Sequence, residues 1–193
     1  MSKRAEAKKA TRHHILEAAR AAFVDQGLLT LSTADVARSA GVAHGTIFFH
    51  FESKEKLLLE MLQRELAEIT EQLYEQLHLS DTLEDLLNTY LDALEAREPF
   101  FAVLARETPF YAPELRRSVM GYEAAVRSYF YSALSHEILA ARCRDVDVTT
   151  ALGFLFGSLN YLLSLKDAYT EDGSVIAEQR AAVTQTFLAL VAL

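Results

Sequence analysis

The sequence predicts an all-α protein of about nine helices, and three observations support that fold class. Apolar residues recur at steps of three and four along most of the chain, which is the spacing of an amphipathic helix. The chain has only three prolines, none of them before Pro99, and only seven glycines in 193 residues. No Asn-Gly or Asp-Gly pair lies between alternating apolar runs, so no β-hairpin is indicated.

Composition and the lengths of the apolar stretches exclude several other classes of protein. Hydrophobic residues make up 51% of the chain, which excludes disorder as its main state. The longest apolar stretch, 151–165, is shorter than the roughly 20 residues of a membrane-spanning helix. Residues 2–9 lack the apolar segment of a signal peptide. We therefore expect a soluble, cytoplasmic protein with no membrane partner.

The sequence predicts no metal site, no cofactor and no catalytic activity. The single cysteine, Cys143, excludes an intramolecular disulfide framework and a cysteine-rich metal site. His136 lies seven residues before it on one predicted helix, but two ligands do not make a metal site. No nucleophile–base pair or glycine-rich phosphate loop supports an enzyme that acts on a small molecule.

The N-terminal third begins with three predicted helices, of which the second and third are short. Their ranges are about 7–26, 33–40 and 44–50. The first ends at Gly27, a residue typical of helix C-termini. Ser32 is a good N-cap for the second, and Asp35 completes a short-armed capping box. Gly41 breaks the chain between the second and third helices, because glycine tolerates the positive φ of a tight turn.

A long fourth helix begins at 53–56. Its apolar face consists of Leu62, Leu66, Ile69, Leu73 and Leu77. A loop at 79–81 with Asp81 as N-cap precedes the fifth helix. The remaining helices are predicted at about 82–96, 98–107, 113–141, 148–168 and 175–192. Pro99 suits the first turn of the sixth helix, and Pro109 and Pro113 bound a loop at 108–112.

The net charge of −8 is unevenly distributed along the chain. Residues 1–64 carry ten basic and seven acidic side chains, hence a charge of +3, and the remainder carries −11. A basic N-terminal part on an acidic remainder is typical of a small nucleic-acid-binding module joined to a second domain. A random fluctuation of surface charge would give the same split, so the charge alone does not decide the function.

Two short helices joined by a glycine turn, directly after a basic amphipathic helix, are typical of a helix-turn-helix. Such a motif requires small or apolar residues where the two helices pack, and Ala37, Val42 and Ile47 meet that requirement. The outer face of the second helix must remain free to enter a DNA major groove. Residues 44–46 and Phe49 occupy that face.

Residues 33–58, TADVARSAGVAHGTIFFHFESKEKLL, closely resemble the DNA-binding part of the TetR (tetracycline repressor) family of transcriptional regulators. The resemblance is specific over about 11–58, whereas the rest of the chain resembles the family only in its helical pattern. It implies a DNA-binding domain at 1–53 and a ligand-binding and dimerisation domain at 54–193. It also implies a homodimeric repressor that binds a double-stranded DNA operator and is released by a ligand.

The resemblance also assigns roles to individual residues in the DNA-binding domain. The residues that match DNA-contacting positions of the family are Thr33, His44, Gly45, Thr46, Phe48, Phe49, His50 and Lys54. The chain departs from the family pattern at two positions: Ala43 stands where the family often has Ser, and Phe48 stands where it most often has Tyr. Neither residue has the hydroxyl group with which Ser or Tyr would form a hydrogen bond. Alternatives remain: Phe48 packs in the core, His50 caps its helix, and Lys54 is merely solvated. Lys8, Lys9 and Arg12 are then expected to contribute to DNA affinity.

The last two long helices are the expected dimer interface. The stretch 148–163 is apolar nearly all round, so it must be buried on more than one side. By resemblance, the interface is a four-helix bundle formed by two subunits. Its expected residues are Leu152, Phe156, Leu159, Val183, Phe187 and Leu190. The alternative is that both helices complete the core of a monomer.

Aromatic residues are concentrated after residue 64, which suits a pocket for a small apolar or aromatic effector. The candidate effector-binding residues are Phe101, Tyr111, Tyr122, Tyr129, Phe154 and Asn160. Asn160 is the first choice of polar anchor, because a buried amide needs a hydrogen-bond partner. Arg106 and Glu107 are weaker candidates. Core packing is the alternative for each ring, and a DNA-binding adaptor whose C-terminal domain binds a protein is the alternative function.

Overall fold

The structure is a computed structural model that describes residues 3–77, 82–170 and 173–193. Its helices are α1 (Lys3–Gln26), α2 (Thr33–Ser39), α3 (His44–Phe51), α4 (Lys54–Leu77), α5 (Leu83–Ala96), α6 (Glu98–Glu107), α7 (Pro113–Leu139), α8 (Val148–Ser164), α9 (Lys166–Tyr169) and α10 (Val175–Val191). No strand occurs in these ranges, so the all-α fold class is confirmed. The predicted cap residue Asp81 lies outside the described residues, and the prediction is wrong because the N-cap of α5 is Thr82, whose hydroxyl accepts the N–H of Asp85 at 3.0 Å.

The described residues form ten helices where the sequence predicted about nine. The prediction of one helix over 148–168 is wrong, because Leu165 leaves helical geometry with φ −110° and ψ 19°. The short helix α9 follows this break. Helix α7 ends at Leu139, two residues earlier than predicted, and Ala141 beyond it has a positive φ of 52°. A 3₁₀ turn at Thr108–Phe110 occupies part of the predicted loop.

The chain divides into two compact units. The first comprises the residues up to Leu66 together with Glu107–Val119, and the second comprises Ala67–Arg106 and Met120–Leu193. The core of the first unit contains Ile15, Phe23, Leu31, Ile47, Leu57 and Leu62, all fully buried. Its surface includes an ion pair between Arg64 and Glu17, 2.9 Å apart. The predicted domain boundary at residues 53 and 54 remains a prediction.

The second unit has its own aliphatic and aromatic core. Its most deeply buried residues include Leu73, Leu87, Leu91, Val126, Phe130, Leu134 and Ile176. Arg180 of α10 ties that helix to α5, since its guanidinium lies 2.7 Å from Asp92 and 2.9 Å from Glu95. None of the described helices combines the length and the apolar character that a membrane span requires.

Candidate nucleic-acid interface

Helices α2 and α3 form a helix-turn-helix, and Ser32 caps the start of α2 as the sequence predicts. The Ser32 hydroxyl oxygen accepts a hydrogen bond from the backbone N–H of Asp35 at 3.2 Å. The Ser32 hydroxyl also hydrogen-bonds the Asp35 carboxylate, which lowers the pKa of Asp35, and Arg38 lowers it further. Gly41 adopts a φ of 62°, and the N–H of Val42 donates to the carbonyl of Ala37 at 3.0 Å. These bonds fix the turn between the two helices.

Helix α3 buries one face and exposes the other. Ile47 is fully buried and Phe51 is 3% exposed, so these two side chains anchor the helix to the first unit. His44 and Gly45 are exposed, Thr46 is half-buried, and Phe49 is 69% exposed. Phe48 is 43% exposed, so its ring is not a core residue. The outer face therefore carries the side chains that the sequence placed there.

The first residues of α2 and α3 are joined by a side-chain hydrogen bond. The Thr33 hydroxyl lies 2.9 Å from Nε2 of His44. The ring of His44 also meets the ring of Phe48 edge-on, with centroids 5.2 Å apart. The imidazole is thus oriented on both sides before any DNA is bound, which limits the conformational entropy that binding would cost.

Phe49 and Lys8 form a cation–π pair at the surface of the first unit. The ammonium of Lys8 lies 4.9 Å from the centroid of the Phe49 ring. This contact brings a positive charge of α1 to the exposed face of α3. The sequence indicated Phe49 and Lys8 separately, but it gave no sign that they touch.

Arg12 contacts other residues of the first unit instead of projecting freely. Its guanidinium lies 4.2 Å from the centroid of the Phe51 ring, donates to the carbonyl of His50 at 2.9 Å, and pairs with Glu60. These contacts hold α1 against α3 and α4. The charge of Arg12 is thus engaged within the protein, and the expectation that Arg12 contributes to DNA affinity stays a prediction.

His50 is half-buried, and its Nδ1 has no hydrogen-bond partner among the described residues. Burial lowers the pKa of His50, and the positive charges of Lys8 and Arg12 lower it further. The ring is therefore neutral at pH 7, and any contact that it makes with DNA is a hydrogen bond or a packing contact. Glu52, with φ 63°, provides the C-cap of α3, so His50 does not have that role.

Lys54 and Lys56 lie two residues apart at the start of α4 and have different partners. The ammonium of Lys56 pairs with Glu52 at 2.5 Å. Lys54 is half-buried and forms no ion pair with any described carboxylate. The N–H of Lys56 donates to the Ser53 hydroxyl at 3.2 Å, so Ser53 caps this helix. Lys54 thus presents a positive charge at a helix N-terminus, a geometry that favours a phosphate group, although this charge also lowers the pKa of the adjacent Glu55.

In the second unit, an apolar groove of about 590 Å³ lies between α8 and α10. It is lined by Phe154, Leu155, Ser158, Ala182, Val183, Thr186, Phe187, Ala189 and Leu190. Three of the predicted interface residues, Val183, Phe187 and Leu190, are in this lining. Phe154 is 67% exposed there, and with Leu190 at 38% it adds apolar surface at the groove.

The other predicted interface residues do not face outward. Leu152, Phe156 and Leu159 are 3%, 7% and 2% exposed, and Phe156 packs against Phe130 with ring centroids 5.4 Å apart. This corrects the predicted interface, because these side chains fill the core of their own unit. Helix α8 is apolar on both faces, so the sequence did not reveal which face turns inward.

Five of the six candidate effector residues lie in the second unit, and they do not form one cluster. Phe101 and Tyr122 meet, with ring centroids 5.8 Å apart. Tyr129 meets Tyr74 edge-on, with ring centroids 6.0 Å apart. Asn160 and Phe154 are exposed on the outer face of α8, so Asn160 is not a buried polar anchor. The amide of Asn160 is instead exposed to water, so it does not need the hydrogen-bond partner that a buried amide would need.

Tyr111 belongs to the first unit, whereas Phe101 and Tyr122 belong to the second. Tyr111 is 3% exposed, and its hydroxyl is 3.5 Å from the carboxylate of Glu107.

The hydroxyl of Tyr122 is buried beside Tyr90, with which it interacts, but it forms no hydrogen bond of good geometry among the described residues. Burial raises the pKa of Tyr122 and of its neighbour Tyr90. Glu123, beside Tyr122 in the chain, is half-buried, and burial raises its pKa, while Arg127 lowers it. Arg127 in turn lies 4.4 Å from the centroid of the Phe156 ring. Glu123 and Arg127 are not among the residues predicted from the sequence, although their spacing of four residues places them on one helix face.

No group of three or more histidine, cysteine, aspartate or glutamate residues suited to a metal ion occurs in the part of the chain that the structure describes. Cys143 is half-buried, and burial raises the pKa of its thiol. The thiol is thus less reactive than an ordinary cysteine at neutral pH.

Comparison with known proteins identifies the N-terminal part. The family described as "Bacterial regulatory proteins, tetR family" matches residues 15–61. This match covers α2, α3 and the start of α4, but not Lys8 or Arg12 of α1. The HTH-type transcriptional repressor KstR2 of Rhodococcus jostii is 27% identical over 154 residues, which is 77% of this chain and 76% of the repressor.

Two solved structures share the fold over nearly the whole chain. The regulator FadR of Bacillus subtilis, in complex with stearoyl-CoA, has a TM-score of 0.75 at 19% identity, covering 91% of this chain and 96% of FadR. The ketosteroid transcriptional regulator KstR2 of Mycobacterium tuberculosis has a TM-score of 0.73 at 20% identity, covering 94% of this chain and 95% of KstR2. At these identities the likeness establishes the fold alone.

Proposed function

The chain belongs to the TetR family of transcriptional regulators, and we propose that it is a homodimeric repressor that a small molecule releases from its DNA operator. The exposed face of α3 is the observation on which this function depends. The residues of this face point outward beside the positive charge of Lys8, and they belong to the helix-turn-helix that the family match covers. The role as a repressor is supported by the sequence similarity to the repressor KstR2, of which the aligned region covers 76%.

DNA contact is assigned to two kinds of residue. His44, Thr46 and Phe49 reach base edges and thymine methyl groups, because they stand on the outer face of α3. Lys54 and Lys8 contact phosphates and set the position of the helix on the duplex. Phe48 has no hydroxyl for a phosphate contact, so more of the affinity depends on these lysines.

A second copy of this chain is the proposed occupant of the groove between α8 and α10. A dimer places two recognition helices on one DNA face, where major grooves recur about every 34–36 Å. The groove is apolar, and it includes Phe154 at 67% exposure and Leu190 at 38% exposure. A two-fold interface would bury each of these residues twice, since both subunits present the same surface.

The proposed effector is an apolar or aromatic molecule with one hydrogen-bonding group. Support comes from Tyr122, whose buried hydroxyl has no well-formed hydrogen bond within the described residues, and from the ring of Phe101 beside it. A buried hydroxyl whose hydrogen bond is poorly formed is unfavourable, so a ligand that hydrogen-bonds to it better than Tyr90 does would gain affinity. FadR and KstR2, which share the fold, are described with stearoyl-CoA and as a ketosteroid regulator.

The experiment that tests DNA binding is a titration of duplexes from beside the protein's own gene, followed by fluorescence anisotropy over a salt series. We expect specific binding whose affinity falls steeply with salt, against a scrambled duplex of the same composition. Equal affinity for both duplexes at every salt concentration would exclude the proposed function. Analytical ultracentrifugation of the same sample gives the oligomeric state.

The effector is tested by adding stearoyl-CoA or a ketosteroid to the preformed operator complex. Release of DNA by either compound, weakened at least about tenfold in the Tyr122→Phe variant, is the expected result. Release that is equally efficient in this variant would contradict the role of Tyr122. If neither compound releases DNA but the protein remains monomeric and retains a second protein, the adaptor function is favoured instead.

A further inference from the structure

Helix α6 carries a buried carboxylate at each end. Glu98 is 2% exposed and Glu107 is 9% exposed, and they are the buried charged residues among those the structure describes. A carboxylate is costly to remove from water unless donors surround it. Each carboxylate must therefore accept hydrogen bonds from nearby donors, and those donors identify the segment that each carboxylate holds in place.

Glu98 holds the start of α10. Its carboxylate oxygens accept the backbone N–H groups of Val175 and Ile176, both at 3.0 Å, and the Ser174 hydroxyl at 2.5 Å. Lys166 lies 3.8 Å away. This is an anion at a helix N-terminus with a nearby cation, and it explains the burial of Glu98 within the second unit.

Glu107 holds a turn that is not part of any helix. One oxygen of its carboxylate accepts the N–H of Leu28 at 2.8 Å and the N–H of Leu29 at 3.3 Å. The hydroxyl of Tyr111 lies 3.5 Å from the same oxygen. No basic side chain of the described residues forms an ion pair with Glu107, so these donors are what keeps the charge in its buried position.

The backbone before the turn is shaped around this carboxylate. Gly27 has a φ of 77°, and a Cβ atom built on it would clash with Oε1 of Glu107. Any side chain at this position would therefore displace the carboxylate as well as strain the backbone. Glycine ends α1 here and at the same time leaves the space that Glu107 occupies.

We propose that Glu107 is a positioning residue for DNA recognition, which rests on the DNA-binding function proposed above. The turn at residues 28–30 leads through the fully buried Leu31 into Ser32, the N-cap of α2. The two hydrogen bonds from the turn to Glu107 hold the residue at which α2 begins. Helix α2 is in turn joined to α3 by the hydrogen bond between Thr33 and His44. Glu107 thus acts on the recognition helix through the backbone, without touching DNA.

The test compares two variants of similar size in the full-length protein. Glu107→Gln keeps a carbonyl acceptor, whereas Glu107→Met fills the space without one. We expect Glu107→Met to raise the operator Kd about tenfold or more, and Glu107→Gln to stay within about threefold of the unaltered protein. Glu98→Gln, on the same helix, is the matched control and should leave the operator Kd unchanged.

Hydrogen exchange supplies a readout that does not depend on DNA. In the unaltered protein, the amides of Leu28 and Leu29 should be protected, and in Glu107→Met they should exchange at least about tenfold faster while the α2 and α3 amides stay protected. Unprotected amides at both positions in the unaltered protein would overturn the proposal, even if Glu107→Met does not fold. Equal operator affinity in Glu107→Met and the unaltered protein would overturn it as well. If no operator is bound by any form, the DNA-binding function fails, and the exchange data still decide what Glu107 holds.

Discussion

Neighbouring residues of the same type have different tasks in the first unit. Lys56 is paired with Glu52, whereas Lys54 has no described carboxylate partner. Phe51 is buried beneath Arg12, whereas Phe49 is exposed beside Lys8. Residue type and charge are identical within each pair, so only the position on the helix decides which member is available to DNA.

Lys54→Ala should weaken binding to every DNA sequence and reduce the slope of log K against log salt by about 1 per subunit. The reason is that an ammonium at the α4 N-terminus replaces condensed counterions on one phosphate. Anisotropy titrations at four or more salt concentrations measure the slope. Lys56→Ala is the matched control, and because Glu52 already neutralises Lys56, its slope should change by clearly less. An equal loss of slope in both variants would refute the assignment.

His50 predicts a pH dependence of stability. Burial lowers its pKa below the ordinary value of 6.5, so the unfolded chain binds a proton at a higher pH than the folded protein does. The stability associated with a neutral His50 is complete above about pH 6.5 and is lost as the pH falls from there to the folded-state pKa. Urea unfolding of the protein and of His50→Gln from pH 8 to pH 5 measures it. The stability advantage of the unaltered protein should shrink on acidification, and a difference that stays constant with pH would contradict the prediction.

At the scale of helices, sequence patterns predicted most of the fold. Amphipathic spacing located every long helix, and the caps at Ser32 and Gly41 agree with the structure because each rests on a local hydrogen bond or dihedral angle. The break at Leu165 was not predictable from spacing, since apolar residues continue through it. Helix propensity is a local property, whereas the end of α8 is set by the packing around it.

The sequence pattern did not predict which face of α8 is exposed. Phe154 and Phe156 lie two residues apart in a helix that is apolar on every side, so both faces were equally acceptable as core. The structure turns Phe156 inward against Phe130 and leaves Phe154 exposed. The candidate site divides in the same way: the α3 residues follow from a specific motif, whereas the Tyr122 and Glu107 contacts join segments distant in sequence.

The exposed face of α8 gives a prediction for assembly. Phe154→Asp should weaken dimerisation at least about 100-fold, because burying one phenylalanine side chain contributes about 1.5–3 kcal/mol and a two-fold interface contains it twice. Sedimentation equilibrium over a range of protein concentrations measures the change. The control is Leu139→Asp, since Leu139 is 87% exposed at the end of α7 and does not line the groove. A Phe154→Asp protein that dimerises as tightly as the control would exclude the groove as the interface.

For the whole molecule, the net charge of −8 combines a DNA-reading part at +3 with a remainder at −11. The positive part is small, so DNA affinity depends on a few placed lysines and not on a general attraction. The acidic remainder repels phosphates over distances set by the Debye length, about 10 Å at 0.1 M salt and about 30 Å at 0.01 M. This repulsion acts on all DNA sequences alike, and it leaves the ratio between operator and other DNA to the residues of α3.

Neutralising part of the acidic charge should therefore raise affinity for all DNA at low salt. The triple variant Glu71→Gln, Glu75→Gln and Glu84→Gln removes three negative charges from exposed positions of the second unit. We expect a several-fold gain for operator and scrambled duplex alike at 0.01 M salt, which disappears at about 0.3 M because the interaction is long-ranged and screened. Anisotropy titrations with both duplexes measure it. The matched control, Glu71→Asp with Glu75→Asp and Glu84→Asp, changes the same positions while keeping their charge, and should bind as the unaltered protein does. A gain that persists at high salt, or that favours the operator alone, would mean that these glutamates act through direct contacts and that the acidic remainder does not govern non-specific binding.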